Sequence, residues 1–330
     1  MIISRTPFRI SFFGGGTDYP DWYREHGGAV LSTTIDKYCY ISVRELPPFF
    51  EHRFRLVYSF VENVKEVSEL AHPAARGVLQ HLGISKGLEI HHDGDLPARS
   101  GVGSSSAFTV GLISAVRALE GRYISKDELA QEAIHVEHSV IREPVGAQDQ
   151  ISAAFGGFNH ITFRQDGTYQ VAPLIIQRDR LESLQGHLML LFTGLSRTAA
   201  EIAKTQIANL DQRRGELQAL TQLVGRAIEI LRSTSDLDEL GRLLDEGWTL
   251  KRRLSDRVST PAIDAFYDAA RRAGAIGGKL LGAGGGGFLL LFVRPEDRAK
   301  VRAALPKLIE VPFRFETSGS RIVLYQPDGW

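Results

Sequence analysis

The sequence predicts a mixed α/β chain of two domains, and three observations carry that expectation. Strand and helix signals alternate through the first half. After a strand ending at Phe192, the second half turns to long, charge-rich helical stretches. Glycine, with 33 copies in 330 residues, gathers into three clusters beside strand or helix signals. A chain of this length makes one large domain or two ordinary ones, and the boundary is expected near residue 180, dividing 1–180 from 181–330. Hydrophobic residues at 43% and charged residues at 24% suffice for a proper core and exclude a disordered chain.

Taken in order, Phe8 to Phe13 reads as a short apolar strand running into Gly14-Gly15-Gly16. Ala29 to Val43 reads as a pair of strands, with β-branched residues at Val30, Thr33, Thr34, Ile35, Ile41 and Val43. Leu88 to His91 is a short strand ahead of Gly101-Val102-Gly103 and three serines. Phe108, Leu112, Ala115 and Leu119 recur at helical spacing, so a helix begins at those serines. Ser125 to Glu128 is a capping box opening the next helix. Asp166-Gly167 joins Phe158–Phe163 to Tyr169–Leu174 as a hairpin. His187 to Phe192 is a strand, and residues 198–257 hold two or three amphipathic helices. Lys251-Arg252-Arg253 falls within that pattern and reads as a solvated face. Thr260-Pro261 caps a further helix. Glycines 282–287, the strand Phe288–Val293, a helix near 295–305 and strands through Phe313–Tyr325 close the chain.

Composition narrows the function. With 39 basic against 39 acidic residues the net charge is zero, which removes the footprint of a dedicated nucleic-acid binder. Cys39 is the single cysteine, so no intrachain disulfide forms; it reads as a small buried hydrophobe in a reducing compartment. The N-terminus has no cleavable leader pattern. The longest apolar run, Phe288 to Val293, falls far short of the roughly 20 residues of a membrane span. A soluble cytoplasmic protein is expected, with neither nucleic acid nor membrane as partner.

The glycine clusters suggest a site built from backbone, because a residue without Cβ lets a ligand approach closely. A Walker loop needs a lysine after its last glycine, which is absent here. A dinucleotide fingerprint needs a third glycine, where this chain has Ser106. What remains is a glycine-serine loop feeding a helix N-terminus, suited to an anion; its serines can instead serve as helix caps. Glu137 lies on the face of Leu129, Ala133, Val136, Val140 and Ile141, so it needs a partner or a metal unless it sits at the rim. Asp149 and Asp18 sit in loops, where either can be a simple cap or turn residue. Arg9, within an apolar strand, needs an anionic partner.

These residues match a known family. Pro97 and Arg99-Ser100-Gly101-Val102-Gly103-Ser104-Ser105-Ser106-Ala107 resemble the P-x-x-x-G-L-G-S-S-A motif of the GHMP small-molecule kinases, which include galactokinase, homoserine kinase and mevalonate kinase. Leu281 to Phe288 resembles the family's third motif and Arg9 to Asp18 its first, in the right order along nearly the whole chain. The resemblance implies an N-terminal α/β domain and a C-terminal ferredoxin-like α+β domain, with ATP and a sugar in the cleft between them.

It also implies roles. Gly101, Val102, Gly103, Ser104, Ser105 and Ser106 would wrap the ATP phosphates, and Ser105 (or Ser104) with Glu137 would hold Mg²⁺. Asp149, in Gly146-Ala147-Gln148-Asp149-Gln150, matches the catalytic aspartate of galactokinase, and Arg9 its arginine. Gly15 and Gly16 stand where galactokinases carry Glu and His, so a galactose substrate is not expected. With Thr17 and Asp18 they would contact the sugar, as would Gly284 and Gly285. Arg9 to Asp18 and Phe192 to Arg197 resemble the bacterial D-glycero-D-manno-heptose 7-phosphate kinases, which would give Thr193, Gly194, Ser196 and Arg197 the 7-phosphate. Fucokinases share a related first segment, and a non-catalytic sensor on the same fold is a further alternative. The expected partners are ATP and a sugar phosphate, with a homodimer as the candidate assembly.

Overall fold

The computed structural model describes residues 1–195 and 199–327. The strands are β1 (Ile2–Phe13), β2 (Gly28–Glu45), β3 (Phe54–Val57), β4 (Val61–Val64), β5 (Leu88–Gly94), β6 (Phe158–Phe163), β7 (Tyr169–Pro173), β8 (Leu188–Phe192), β9 (Ala275–Leu280), β10 (Phe288–Val293), β11 (Ile309–Glu310), β12 (Phe315–Glu316) and β13 (Arg321–Tyr325). The helices are α1 (Pro20–His26), α2 (Pro73–His81), α3 (Ser104–Leu119), α4 (Lys126–His135), α5 (Gln148–Phe155), α6 (Arg178–His187), α7 (Ala199–Ala208), α8 (Arg214–Arg232), α9 (Asp238–Arg252), α10 (Pro261–Arg272) and α11 (Arg298–Ala304). No helix among the described residues is long and apolar enough to cross a membrane.

Among those residues the strands form two sheets, of nine and four strands. The expected strand pair at 29–43 is one continuous strand, β2. One of its edges pairs with β1 along most of its length, while the other pairs in turn with β6, β12 and β5. Partners on both edges leave no reason to turn. The four-stranded sheet has the order β11-β8-β10-β9 with all pairs antiparallel. Helices lie between β8 and β9, and α11 lies between β10 and β11. This is the ferredoxin-like arrangement expected for the second half. β12 and β13, however, return to the nine-stranded sheet beside β2 and β1, so the expected 181–330 domain gives its end back to the first.

β10 reads as an unbroken apolar run because both of its faces are covered. Phe288, Leu290 and Phe292 enter the main core, and Leu289, Leu291 and Val293 enter a second cluster with Trp248, Ile263 and Tyr267. Truncating Leu290 to alanine would cost about 2–5 kcal/mol. Cys39 is fully buried in the main core, as expected. The caps also hold: Ser125 and Glu128 exchange the hydrogen bonds of a capping box, and Thr260 accepts from Ile263 N ahead of Pro261.

Candidate active site

The second and third glycine clusters, far apart in sequence, meet. A Cβ on Gly101 would lie 2.5 Å from Leu281 O, and one on Gly282 would lie 2.5 Å from Gly101 Cα. Only backbone fits between these loops. Phe288 N donates to Ser100 O at 3.1 Å, locking the second cluster to the strand after the third. Gly103 caps α3 in the left-handed region with no side-chain cap, so the first amides of a 16-residue helix are left free for an anion.

Beneath that loop Arg9, almost fully buried, binds the Asp149 carboxylate bidentately. Its Nε donates to Oδ1 at 2.7 Å and its Nη2 to Oδ2 at 2.8 Å, while Nη1 donates to Gly101 O at 2.6 Å. The strand arginine thus has the anionic partner it required. Asp149, in the first turn of α5, keeps its side chain 24% exposed and open to a ligand. Asp18 is 3% exposed and accepts from Gly16 N at 2.9 Å and Gln148 N at 3.4 Å. Burial, then the nearby Asp149 charge, raises its pKa. A Cβ on Gly146 would fall 1.9 Å from Asp18 Oδ2, so glycine there is what lets α5 approach. Thr17 is wholly buried, and its hydroxyl bonds Gly14 O at 2.8 Å within the first loop.

Glu137 is 1% exposed, as the helical face predicted, but the geometry differs from a regular helix. Residues Val136–Ile141 form a π-helical turn, whose wider spacing carries Val140 to the surface instead of the core. Glu137 Oε2 accepts from Ser106 Oγ at 2.9 Å and from Gln150 Nε2, while Oε1 is buried without a well-formed hydrogen bond among the described residues, the Thr109 hydroxyl lying near the carboxylate. Burial pushes its pKa up to about 7. Of the three serines it is therefore Ser106 that touches Glu137; Ser104 Oγ accepts from Arg99 N at 3.1 Å and Ser105 is exposed.

Two lysines escape sequence reasoning. Lys251, expected on a solvated face, is 5% exposed and donates from α9 to Gly282 O. Burial, with Arg9 nearby, lowers its pKa to about 8 against the pull of Asp18 and Asp149. Helical periodicity places Lys251 beside Trp248 and Leu244, and that apolar spacing was the available signal. Lys279 on β9 is buried too, donating to Ser11 O at 2.8 Å and Phe12 O at 3.0 Å, so the second sheet grips the end of β1. Its pKa is pushed well down by burial and by Lys251.

On the far side, Thr193 Oγ1 donates to Gly287 O at 2.8 Å and Gly285 N to Val258 O at 3.0 Å. Gly284 packs on the Val258 backbone, and Gly194 is exposed. Ser196 and Arg197 lie outside the described residues.

Residues 67–157 match the GHMP kinases N terminal domain, and residues 227–310 match GHMP kinases C terminal. The chain is 29% identical over 320 residues to the D-glycero-alpha-D-manno-heptose 7-phosphate kinase of Campylobacter jejuni subsp. jejuni serotype O:2, covering 93% of each chain. It is 30% identical over 268 residues to the mevalonate kinase of Pyrococcus abyssi, covering 78% of this chain and 73% of that one. Among solved structures, a D-glycero-D-manno-heptose 1-phosphate kinase from Bacteriodes thetaiotaomicron has a TM-score of 0.79 at 26% identity and covers 98% of both chains. Both halves of the family are thus present in order, and the chain belongs to the GHMP kinases.

Proposed function

We propose that the chain transfers the γ-phosphoryl group of ATP to the anomeric O1 of D-glycero-α-D-manno-heptose 7-phosphate. The product would be the 1,7-bisphosphate, made in the cytoplasm on the way to GDP-heptose for capsule or surface polysaccharide. The observation that carries the kinase reading is the Arg9–Asp149 pair under the Gly101–Gly103 loop. A partly exposed carboxylate, held in place by a buried guanidinium that also binds the loop ahead of α3, supports this reading.

In this reading Asp149 accepts the proton of the sugar hydroxyl, or orients it, as that oxygen attacks the γ-phosphorus and ADP leaves. Arg9 fixes Asp149 and offsets charge on the transferring group. The free amides of Ser104, Ser105 and Ser106 receive phosphate oxygens. Glu137, with an unpartnered buried Oε1, fits a hard cation that takes oxygen ligands, and Ser105 or Ser106 would complete its protein donors. Bound Mg²⁺ would neutralise charge on the phosphate oxygens.

The heptose reading rests on Gly15 and Gly16 in place of two bulky polar side chains, and on the end-to-end likeness to a heptose 7-phosphate kinase. It assigns the 7-phosphate to the segment 193–197. Phosphorus NMR of the protein with Mg-ATP, offering the heptose 7-phosphate, free mannoheptose and fucose in turn, tests it. A new anomeric phosphate signal with the 7-phosphate alone is expected. Turnover of a free sugar instead would move the assignment to a fucokinase-like enzyme, and turnover of none would point to a sensor.

A further inference from the structure

Gln150 closes the Gly146–Gln150 motif, yet the transfer described above makes no use of it. It is completely buried in the first turn of α5, directly after Asp149. Its Nε2 donates to Glu137 Oε2, the same oxygen that accepts from Ser106 Oγ at 2.9 Å. An ionised carboxylate only accepts, so the NH₂ end of the amide is the end that can serve it. Two donors, one from α3 and one from α5, therefore converge on one oxygen of Glu137. The other, Oε1, has no well-formed hydrogen bond among the described residues, the Thr109 hydroxyl lying near the carboxylate. As a packing residue Gln150 is a poor choice. Its own Oε1 is buried with no partner among the described residues, a cost that an apolar side chain of the same shape avoids. What glutamine adds is the amide donor to Glu137.

The place of Gln150 on α5 gives that bond a second consequence. Consecutive helical residues point about 100° apart, so one turn sends Asp149 to the Arg9 guanidinium and Gln150 to Glu137. We infer that Gln150 is a positioning residue. It fixes the Glu137 carboxylate through Oε2, leaving Oε1 for a divalent cation, and ties that carboxylate to the turn that carries Asp149. It acts through Glu137 and not by contact with the reacting groups. This inference rests on the reading of Glu137 as a cation ligand given above.

The test titrates Mn²⁺ into the full chain, with and without ADP, and follows the loss of the free ion's EPR signal. The Mg²⁺ dependence of the kinase rate and the thermal midpoint without metal are measured alongside. Gln150→Met keeps the size of the side chain and removes the donor. It should weaken Mn²⁺ binding roughly 10-fold or more, the range for a lost partner of a metal ligand. The Mg²⁺ concentration for half-maximal rate should rise with it, while the thermal midpoint changes little. Any Mn²⁺ binding left in Glu137→Gln should be unaffected by adding Gln150→Met, because the carboxylate through which Gln150 acts is already gone. Gln150→Leu decides the matter if the methionine variant fails to fold. A glutamine that only packs would give the reverse, a lowered midpoint with wild-type Mn²⁺ affinity, and that result overturns the inference while the kinase stands. A wild-type chain that binds no Mn²⁺ in either condition would overturn both the cation reading of Glu137 and this inference.

Discussion

Arg9 spends all three guanidinium nitrogens on two partners, Asp149 and the Gly101 carbonyl, and so ties the carboxylate of α5 to the glycine loop ahead of α3. One side chain therefore sets the distance between the carboxylate proposed to handle the hydroxyl and the loop proposed to handle the phosphates. Asp149→Asn should lower turnover by roughly 10²-fold or more, as expected for a lost general base. Arg9→Lys keeps the charge but loses the planar fork, and should lower turnover roughly 10-fold or more, matching the 1.5–3 kcal/mol of a hydrogen bond to a charged group. Steady-state kinetics on folded variants checks both; near-normal turnover in Asp149→Asn would refute its role.

Gly146 touches no reacting group, yet its substitution should damage the site. Alanine there must push Asp18 off the position in which it accepts from Gly16 and Gln148. A loss of about 1–3 kcal/mol is expected from overpacking, together with weaker binding of the sugar. Gly225, exposed within α8 with nothing near its missing Cβ, supplies the contrast. Gly225→Ala should stabilise the protein by about 1 kcal/mol through helix propensity. Denaturant midpoints of the two variants should move in opposite directions.

What the sequence made legible follows a physical division. Arg9 could be picked out because a charge in an apolar strand is a local anomaly, whereas Asp149, a loop aspartate that could equally be a cap, stood out only through the motif resemblance. Glu137 was legible from the face it shares with Ala133, although the π-turn that carries Val140 outward leaves no mark in a 3.6-residue pattern. Lys251 was hidden because three basic residues in a row look solvated, and only its helical spacing from the buried Leu244 and Trp248 marks it as the one that turns inward. The unbroken β2 and the return of β12 and β13 depend on strand partners distant in sequence, which no local window contains.

Glu137 should make stability depend on pH and on metal. Its folded pKa of about 7 stands above the ordinary 4.5, so the folded state holds the proton more tightly than the unfolded chain. Its contribution is fully present below pH 4.5 and is lost as pH rises through 7, a change on the order of 3 kcal/mol. A cation at Oε1 should restore what is lost. Thermal midpoints at pH 6 and 8 should therefore show wild type falling relative to Glu137→Gln, with millimolar Mg²⁺ closing the gap at pH 8. Parallel midpoints that ignore Mg²⁺ would remove Glu137 from the metal's ligands.

Lys251 should produce a pH effect of the opposite sense. Its folded pKa of about 8 lies below the ordinary 10.5, so between those values the unfolded chain binds more protons than the folded one. Burying the charge costs stability in full below pH 8, and the cost is relieved as pH rises toward 10.5, by on the order of 3 kcal/mol. Against Lys251→Met, wild type should therefore gain stability between pH 7.5 and 9.5 in urea titrations. Activity should run the other way. The lysine shares its surroundings with Arg9 and Asp149, and only its charged form attracts phosphate. In wild type, kcat/KM for ATP should thus fall above an apparent pKa near 8, the value that profile reports for the free enzyme. In Lys251→Met that limb should vanish, leaving a uniformly low value. A wild-type limb that persists unchanged in the variant would assign the titration to another group and leave Lys251 as no more than the tether of Gly282.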